Sequence, residues 1–432
     1  MKFSNVSAIA FLCIFAQPVA KASTFYVSPH GNDANPGTAR RPFQTLTHAR
    51  DAARRSKGMG KTILIEPGRF FLAAPLTLDE RDSGVVWRGM GPKASTEVYG
   101  GLAVTGWTKW KGGIWRARVP KGIRFWNLVV DGRPAVMAQV PKKGSGFGGG
   151  AQRIDNKSVG VPPEWRGYDY SDAQVFAFIG GNWFSEMRQV LTAAPDRKGV
   201  LSVDGGSGNF GGMNERFCIR GVLEFLTEPG EWCLKHNEGF VYYWPKTGTP
   251  MSHVIVRPVA QTLLDVHGKS RNEPARNITF ENLSLIGSDF CPRWYLFADG
   301  EDGSTPEPLQ QGMVFSENVD RLTIRGCKLL AAGHSAIWLN KASVHCIVES
   351  NLIMGAGFAG VYANGWTLGK GPFKSAAESY VNKGHRIESN FIYDCGQFVA
   401  GGCGIQLYQS GDNLIARNEI GDMPRYGISC KG

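Results

Sequence analysis

The chain has 432 residues, with 48 Lys and Arg against 37 Asp and Glu, a formal charge of +11. Its 56 glycines, without Lys or Glu runs, argue for many short strands joined by tight turns and against a helical protein. The basic residues are scattered and form no recognition motif, which argues against a nucleic-acid partner. An acidic glycan or an anionic envelope is what such a charge would attract.

Residues 1–22 read as a signal peptide: Lys2, an apolar run from Val6 to Phe15, then Ala20-Lys21-Ala22 before Ser23. That run is too short to span a bilayer comfortably, and no later stretch is long enough, so no membrane span is expected. The predicted location is secreted or periplasmic. Cleavage would remove Lys2, Lys21 and Cys13, leaving a charge of +9 and eight cysteines. An oxidising compartment permits disulfides, and Cys218–Cys233 and Cys395–Cys403 are the local pairs to test. No CxxC or His-rich cluster points to a metal.

Residues 23–99 form an N-terminal cap and first coils. Phe25-Tyr26-Val27 is a strand, Thr45 can N-cap a helix running to about Arg55, and Leu46, Ala49, Ala52 and Ala53 share one face of it. Such a helix would plug an open end of stacked coils. Residues 100–275 show no clean repeat and read as a β-rich elaboration, with a flexible Gly-rich linker at Gly144–Gly150 that lacks a phosphate-binding GKS/T.

Residues 276–432 repeat. Phe280, Ile324, Val348, Ile387 and Ile415 form one apolar column, Leu285, Leu329, Ile353, Ile392 and Ile420 a second, and Ile337, Val361, Ile405 and Ile428 a third. The bare coil is ~24 residues, with large loops near 286–311 and 366–384. Each coil alone cannot bury its apolar side chains, whereas stacked coils make the columns a continuous core. Asn351, Asn390 and Asn418 fall at one position and are expected to hydrogen-bond along the stack, as ladders of identical residues do. Parallel crossovers are right-handed by default. The predicted fold is therefore all-β, a right-handed parallel β-helix of the single-stranded pectate-lyase-like kind, with a capping helix and an inserted region. A leucine-rich horseshoe would need a denser leucine pattern.

Strand alternation places Trp338, Tyr362, Gln406 and Ser429, and three steps beyond the third column Asn340, Asn364, Tyr408 and Lys431, on the outer face. Aromatic, amide and hydroxyl groups on one face suit a sugar, so Trp338, Asn340, Tyr362, Asn364, Gln406 and Tyr408 are candidate substrate-binding residues, unless a neighbouring loop covers them. Glu281, Arg325, Glu349 and Glu388 read as an outward structural charge ladder. His334, Asp394 and Asp412 are candidate catalytic residues. Each also has a plainer reading as a turn residue, and Asp394 shares its coil position with Asp422. Asp289, Asp299, Glu301 and Asp302 sit in a loop that could reach over the face, at a spacing that matches no calcium loop.

Phe25-Tyr26-Val27-Ser28 with Gly31-Asn32-Asp33, Asn35-Pro36-Gly37-Thr38 and Pro42-Phe43 resembles the N-terminal signature of bacterial β-helix glycan-active enzymes. Asp82-Ser83-Gly84, Gly100-Gly101 with Gly106-Trp107, Val130-Asp131-Gly132-Arg133, and Pro229-Gly230-Glu231-Trp232 with Tyr242-Tyr243-Trp244-Pro245 resemble glycoside hydrolase family 141. The resemblance spans nearly the whole chain and implies a β-helix fold with fucosidase- or xylanase-type activity. The acidic pair that the family implies has no match at any position here. The sequence reaches Gly432 within what would be another coil, so further coils, a partner closing the last one, or loss of the catalytic half are the alternatives. Three functions remain open: a secreted glycoside hydrolase on plant or algal cell-wall glycan, a polysaccharide lyase on a uronic-acid polymer, and a non-catalytic glycan-binding adhesin. No cofactor is expected except calcium for the lyase. The partner is a polysaccharide or oligosaccharide, and the sequence sets no oligomeric state.

Overall fold

A computed structural model describes residues 23–57, 60–92, 94–146, 149–182, 184–205, 212–291, 312–366 and 371–431. Three parallel sheets wind around one apolar core. The first runs through Ser23–Val27, Lys61–Ile65, Val85–Gly89, Thr279–Glu281, Thr323–Arg325, Ile347–Glu349, Arg386–Glu388 and Leu414–Ala416. The second runs from Gly68–Phe71 and Thr96–Tyr99 through Leu283–Ile286 down to Glu419–Gly421. The third runs through Leu76–Leu78, Leu264–His267, Gly312–Asp320, Ser335–Val344, Val361–Asn364, Cys403–Tyr408 and Tyr426–Lys431. This is a right-handed parallel β-helix, as the repeat predicts.

The apolar columns stack in register. Phe280 pairs with Ile324, Ile324 with Val348, Val348 with Ile387 and Ile387 with Ile415. The same column extends upward through Trp87 and Ile63 to Phe25. Trp87 on Phe280 joins coils separated by more than 170 residues of sequence, so the insertion interrupts the chain without interrupting the core. The third column likewise starts earlier than its repeat, at Leu76, Leu264 and Val314 above Ile337. The strand Leu264–His267 thus lies inside the 100–275 stretch but belongs to the helix.

Three left-handed residues turn each regular coil. Asn282, Gly326, Ser350, Ser389 and Arg417 mark the first corner, with φ between 55° and 58°. Gly287, Ala331, Gly355, Asp394 and Asp422 mark the second, and Asn277, Arg321, His345, Gly384 and Asp412 the third. Short polar residues and glycine tolerate this conformation best.

Inside the first corner the asparagines form the expected ladder. Asn351 Nδ2 donates to Asn390 Oδ1 and Asn390 Nδ2 to Asn418 Oδ1, each at 2.9 Å. The backbone N–H groups of Cys327, Asn351 and Asn390 donate to the amide oxygen one coil further on. Each side chain thereby satisfies buried groups on two coils, which a dry corner requires. Outside the first sheet, Arg88 pairs with Glu281, Arg325 with Glu349, and Arg386 and Arg417 with Glu388. The outward charges are thus a structural ladder.

Thr45 caps the helix Leu46–Arg55 by accepting from the His48 N–H, and Leu46, Ala49 and Ala53 are buried against the first strands. Among the described residues no helix is long and apolar enough to cross a membrane. The signal-like segment lies outside the described residues.

The insertion leaves the second sheet after Tyr99 and rejoins the third at Leu264, and it folds into four small, mostly antiparallel sheets. It docks on the second corner. Asn127 Nδ2 donates to the carbonyls of Ser288 and Ala331, at 3.2 and 3.1 Å. Asp289 Oδ1 accepts from the backbone N–H groups of Trp126, Asn127 and Phe290. Burial pushes the Asp289 carboxyl up to about 7 despite those three donors. Asp289 is therefore an anchor of the insertion, whereas Asp299, Glu301 and Asp302 lie outside the described residues.

All eight cysteines described are free thiols, seven of them buried. The expected local disulfides are absent. Cys395 and Cys403 show one reason: the first packs in the coil core and the second in the separate cluster around Trp338, each serving as a small apolar side chain.

Candidate functional site

Two ladders run down the outer face of the third sheet. One is Asp265, Phe315, Trp338, Tyr362, Gln406 and Ser429, and the other is His267, Glu317, Asn340, Asn364, Tyr408 and Lys431. Alternation predicts the direction of these side chains correctly, since Trp338 and Tyr362 belong to an apolar cluster distinct from the coil core. It does not predict their cover. Trp338, Tyr362 and Asn340 are wholly buried, Asn364 and Gln406 are 2 % exposed and Tyr408 5 %. Met187 and Phe176 of the insertion pack on this cluster together with Trp126, Phe290 and Phe398. A surface sugar platform at Trp338 and Tyr362 is thus corrected to a packed interface between coils and insertion.

The catalytic candidates do not converge. His334 is wholly buried, its ring 5.2 Å from Trp338 and 4.9 Å from Phe358. Asp394 is an exposed second-corner residue whose carboxylate accepts from Gln397 Nε2. Asp412 is an exposed third-corner residue, on a different edge of the coil. The left-handed corner geometry accounts for both aspartates without any chemistry.

The head of the outer face is different. Asp265 and His267 alternate on one strand and lie 2.7 Å apart, Oδ1 to Nδ1, without hydrogen-bond alignment. On the next strand Glu317 accepts from Asn340 Nδ2 at 2.7 Å and stands 3.7 Å from Lys341 Nζ. Glu317 pairs with His267 and so sits two residues beyond the register of Asp265, about 8 Å away at Cα on ideal sheet spacings. Burial opposes a charged imidazole, but the contact with Asp265 and the charges of Asp265 and Glu317 outweigh it, so the His267 pKa is raised. Half-buried Trp366 carries Lys341 Nζ over its ring at 4.7 Å, and Phe373 meets that ring edge-on at 5.9 Å. The third column, followed two coils upward from Ile337, is the signal that would have found Asp265, His267 and Glu317.

Beside this face, a cleft of about 610 Å³ opens between the insertion and the second corner. Trp126, Phe176 and Phe398 are among its walls, and Arg220, Lys143, Gln397 and Asp422 are among its polar groups. Among the described residues no group of three His, Cys, Asp or Glu side chains could hold a metal ion.

Fold comparisons agree with the architecture. Residues 312–432 match the family described as right-handed beta helix region. A solved structure titled "Glycoside hydrolase" is 21% identical, superposes with a TM-score of 0.74, and covers 95% of this chain and 79% of its own. Another, titled "The complex structure of XylC with xylose", is 12% identical with a TM-score of 0.50, covering 93% of this chain and 59% of its own. No curated protein matches the sequence.

Proposed function

We propose that this protein is a secreted, carbohydrate-active β-helix enzyme that hydrolyses glycosidic bonds at the head of the third sheet. The observation that carries the reading is the cluster of Asp265, His267 and Glu317 on adjacent strands beside the Trp366–Phe373 wall. His267, held protonated beside Asp265, donates its proton to the leaving glycosidic oxygen. Glu317 takes a proton from water, whose oxygen bonds the anomeric carbon as the old carbon–oxygen bond breaks. Proton donation to a leaving oxygen and proton removal from water are general acid–base steps that His267 and Glu317, partners in register, can share. An aromatic wall suits the apolar face of a sugar ring. The shared fold of the structure titled as a glycoside hydrolase supports this reading, and the N-terminal pattern supports secretion.

A lyase reading has its own support in the cations Lys341 and His267 at the same place. Both are tested by incubating the full chain with neutral and acidic plant and algal polysaccharides. The hydrolase reading expects new reducing ends without ultraviolet absorbance. Unsaturated, absorbing products would replace it with the lyase, and no product across the set would leave only glycan binding.

A further inference from the structure

The cleft between the insertion and the second corner contains a buried cation without a counter-charge. Arg220 is 6 % exposed and lines this cleft. Its guanidinium stands 5.7 Å from the Phe176 ring centroid and 5.4 Å from that of Phe398. Its Nε donates to Gln174 Oε1 at 3.2 Å. Among the described residues no carboxylate pairs with it, and the neighbouring Cys218 thiol, pushed up to about 11 by burial, stays neutral. Desolvation dominates, lowering the arginine to about 10. Behind it, Gln174 gives its Oε1 to Arg220, and its Nε2 is buried without a hydrogen-bond partner.

Neither feature suits a structural role. A buried charge is costly unless it is paired, and a buried donor is costly unless it is satisfied. Other buried or half-buried cations of the insertion have carboxylates: Lys142 has Glu231, Lys235 has Asp169 and Arg188 has Glu186. Arg220 is the exception: it lines a cavity of ligand size, as Lys142 does, but without a carboxylate of its own. A planar guanidinium forks onto a planar oxyanion. Trp126 and Phe178 continue the apolar wall for the rest of a sugar ring.

We infer that this cleft is an anionic-saccharide site in which Arg220 pairs with an oxyanion on the sugar, a uronate carboxylate or a sulfate ester. The site would select acidic glycan for the enzyme, and it rests on the carbohydrate reading only in the choice of a sugar as carrier.

The test is binding of galacturonic acid, galactose 6-sulfate and galactose to the full chain by titration calorimetry. None has a glycosidic bond to hydrolyse, so failure here is separate from failure of the hydrolase. The expected result is that at least one acidic sugar binds tenfold or more tighter than galactose. The uronate and sulfate arms identify which oxyanion the site takes. Arg220→Met is expected to abolish that preference, leaving galactose binding unchanged. Should Arg220→Met fail to fold, Gln397→Glu at the rim is expected to weaken the acidic sugar at least fivefold and not galactose. Equal affinities for all three sugars, or a preference that survives Arg220→Met or Gln397→Glu, would overturn the inference.

Discussion

Trp338→Ala is expected to destabilise the protein by about 3–5 kcal/mol, as truncation of a buried large aromatic does. The indole is wholly buried and meets Phe315 at 5.8 Å, His334 at 5.2 Å and Tyr362 at 4.7 Å between ring centroids. It belongs to the cluster that includes Met187 of the insertion, so its removal opens a cavity where coils and insertion meet. Urea denaturation would measure the loss, with Leu191→Ala at a 64 % exposed site as a control expected within about 0.5 kcal/mol of the parent. A Trp338→Ala protein as stable as that control would return the residue to the surface and revive a sugar platform there.

The second large effect concerns the Asp265–His267 pair. His267→Gln is expected to lower kcat/KM on the best polysaccharide by about 10²–10⁴-fold, the range for a lost proton donor. Asp265→Asn is expected to act in the same direction by removing the charge that favours the imidazolium. The pH dependence has a definite sign. The His267 pKa is raised above 6.5, so a rate that needs the protonated ring falls as pH rises through that higher value. Its stability contribution is fully present below 6.5 and is lost across the same rise. A pH–rate profile of kcat/KM would show this alkaline limb in the parent and not in His267→Gln. An unchanged limb would remove His267 from the chemistry.

The helix was legible in the sequence because its physics is periodic. Phe280, Ile324, Val348, Ile387 and Ile415 must face one core, and Asn351, Asn390 and Asn418 must satisfy each other in a dry corner. The capping helix was legible through Thr45 and the apolar face that follows it. The site was not, for two reasons. Alternation gives the direction of Trp338 and Tyr362, but what lies over them comes from residues more than 130 positions away, such as Met187. The insertion before Leu264 and the long sequence loop between Leu285 and Val314 also break the spacing on which the third column depends, so Asp265, His267 and Glu317 do not fall into the repeat. Asp394 and Asp412 drew notice because acids near a face suggest catalysis, yet the corners select them for backbone conformation. Arg220 had no sequence signal, since a cation without a partner becomes visible only when the partners of its neighbours are known.

The site at the head of the third sheet is tested most directly by Glu317→Gln. This exchange keeps the shape of the side chain and its contact with Asn340 while removing the base. Reducing-end release would be followed on the polysaccharide that the parent degrades fastest, with thermal unfolding measured alongside. The expected result is a protein of unchanged melting temperature that releases reducing ends at least ~100-fold more slowly. A folded Glu317→Gln protein with a rate within twofold of the parent would contradict it.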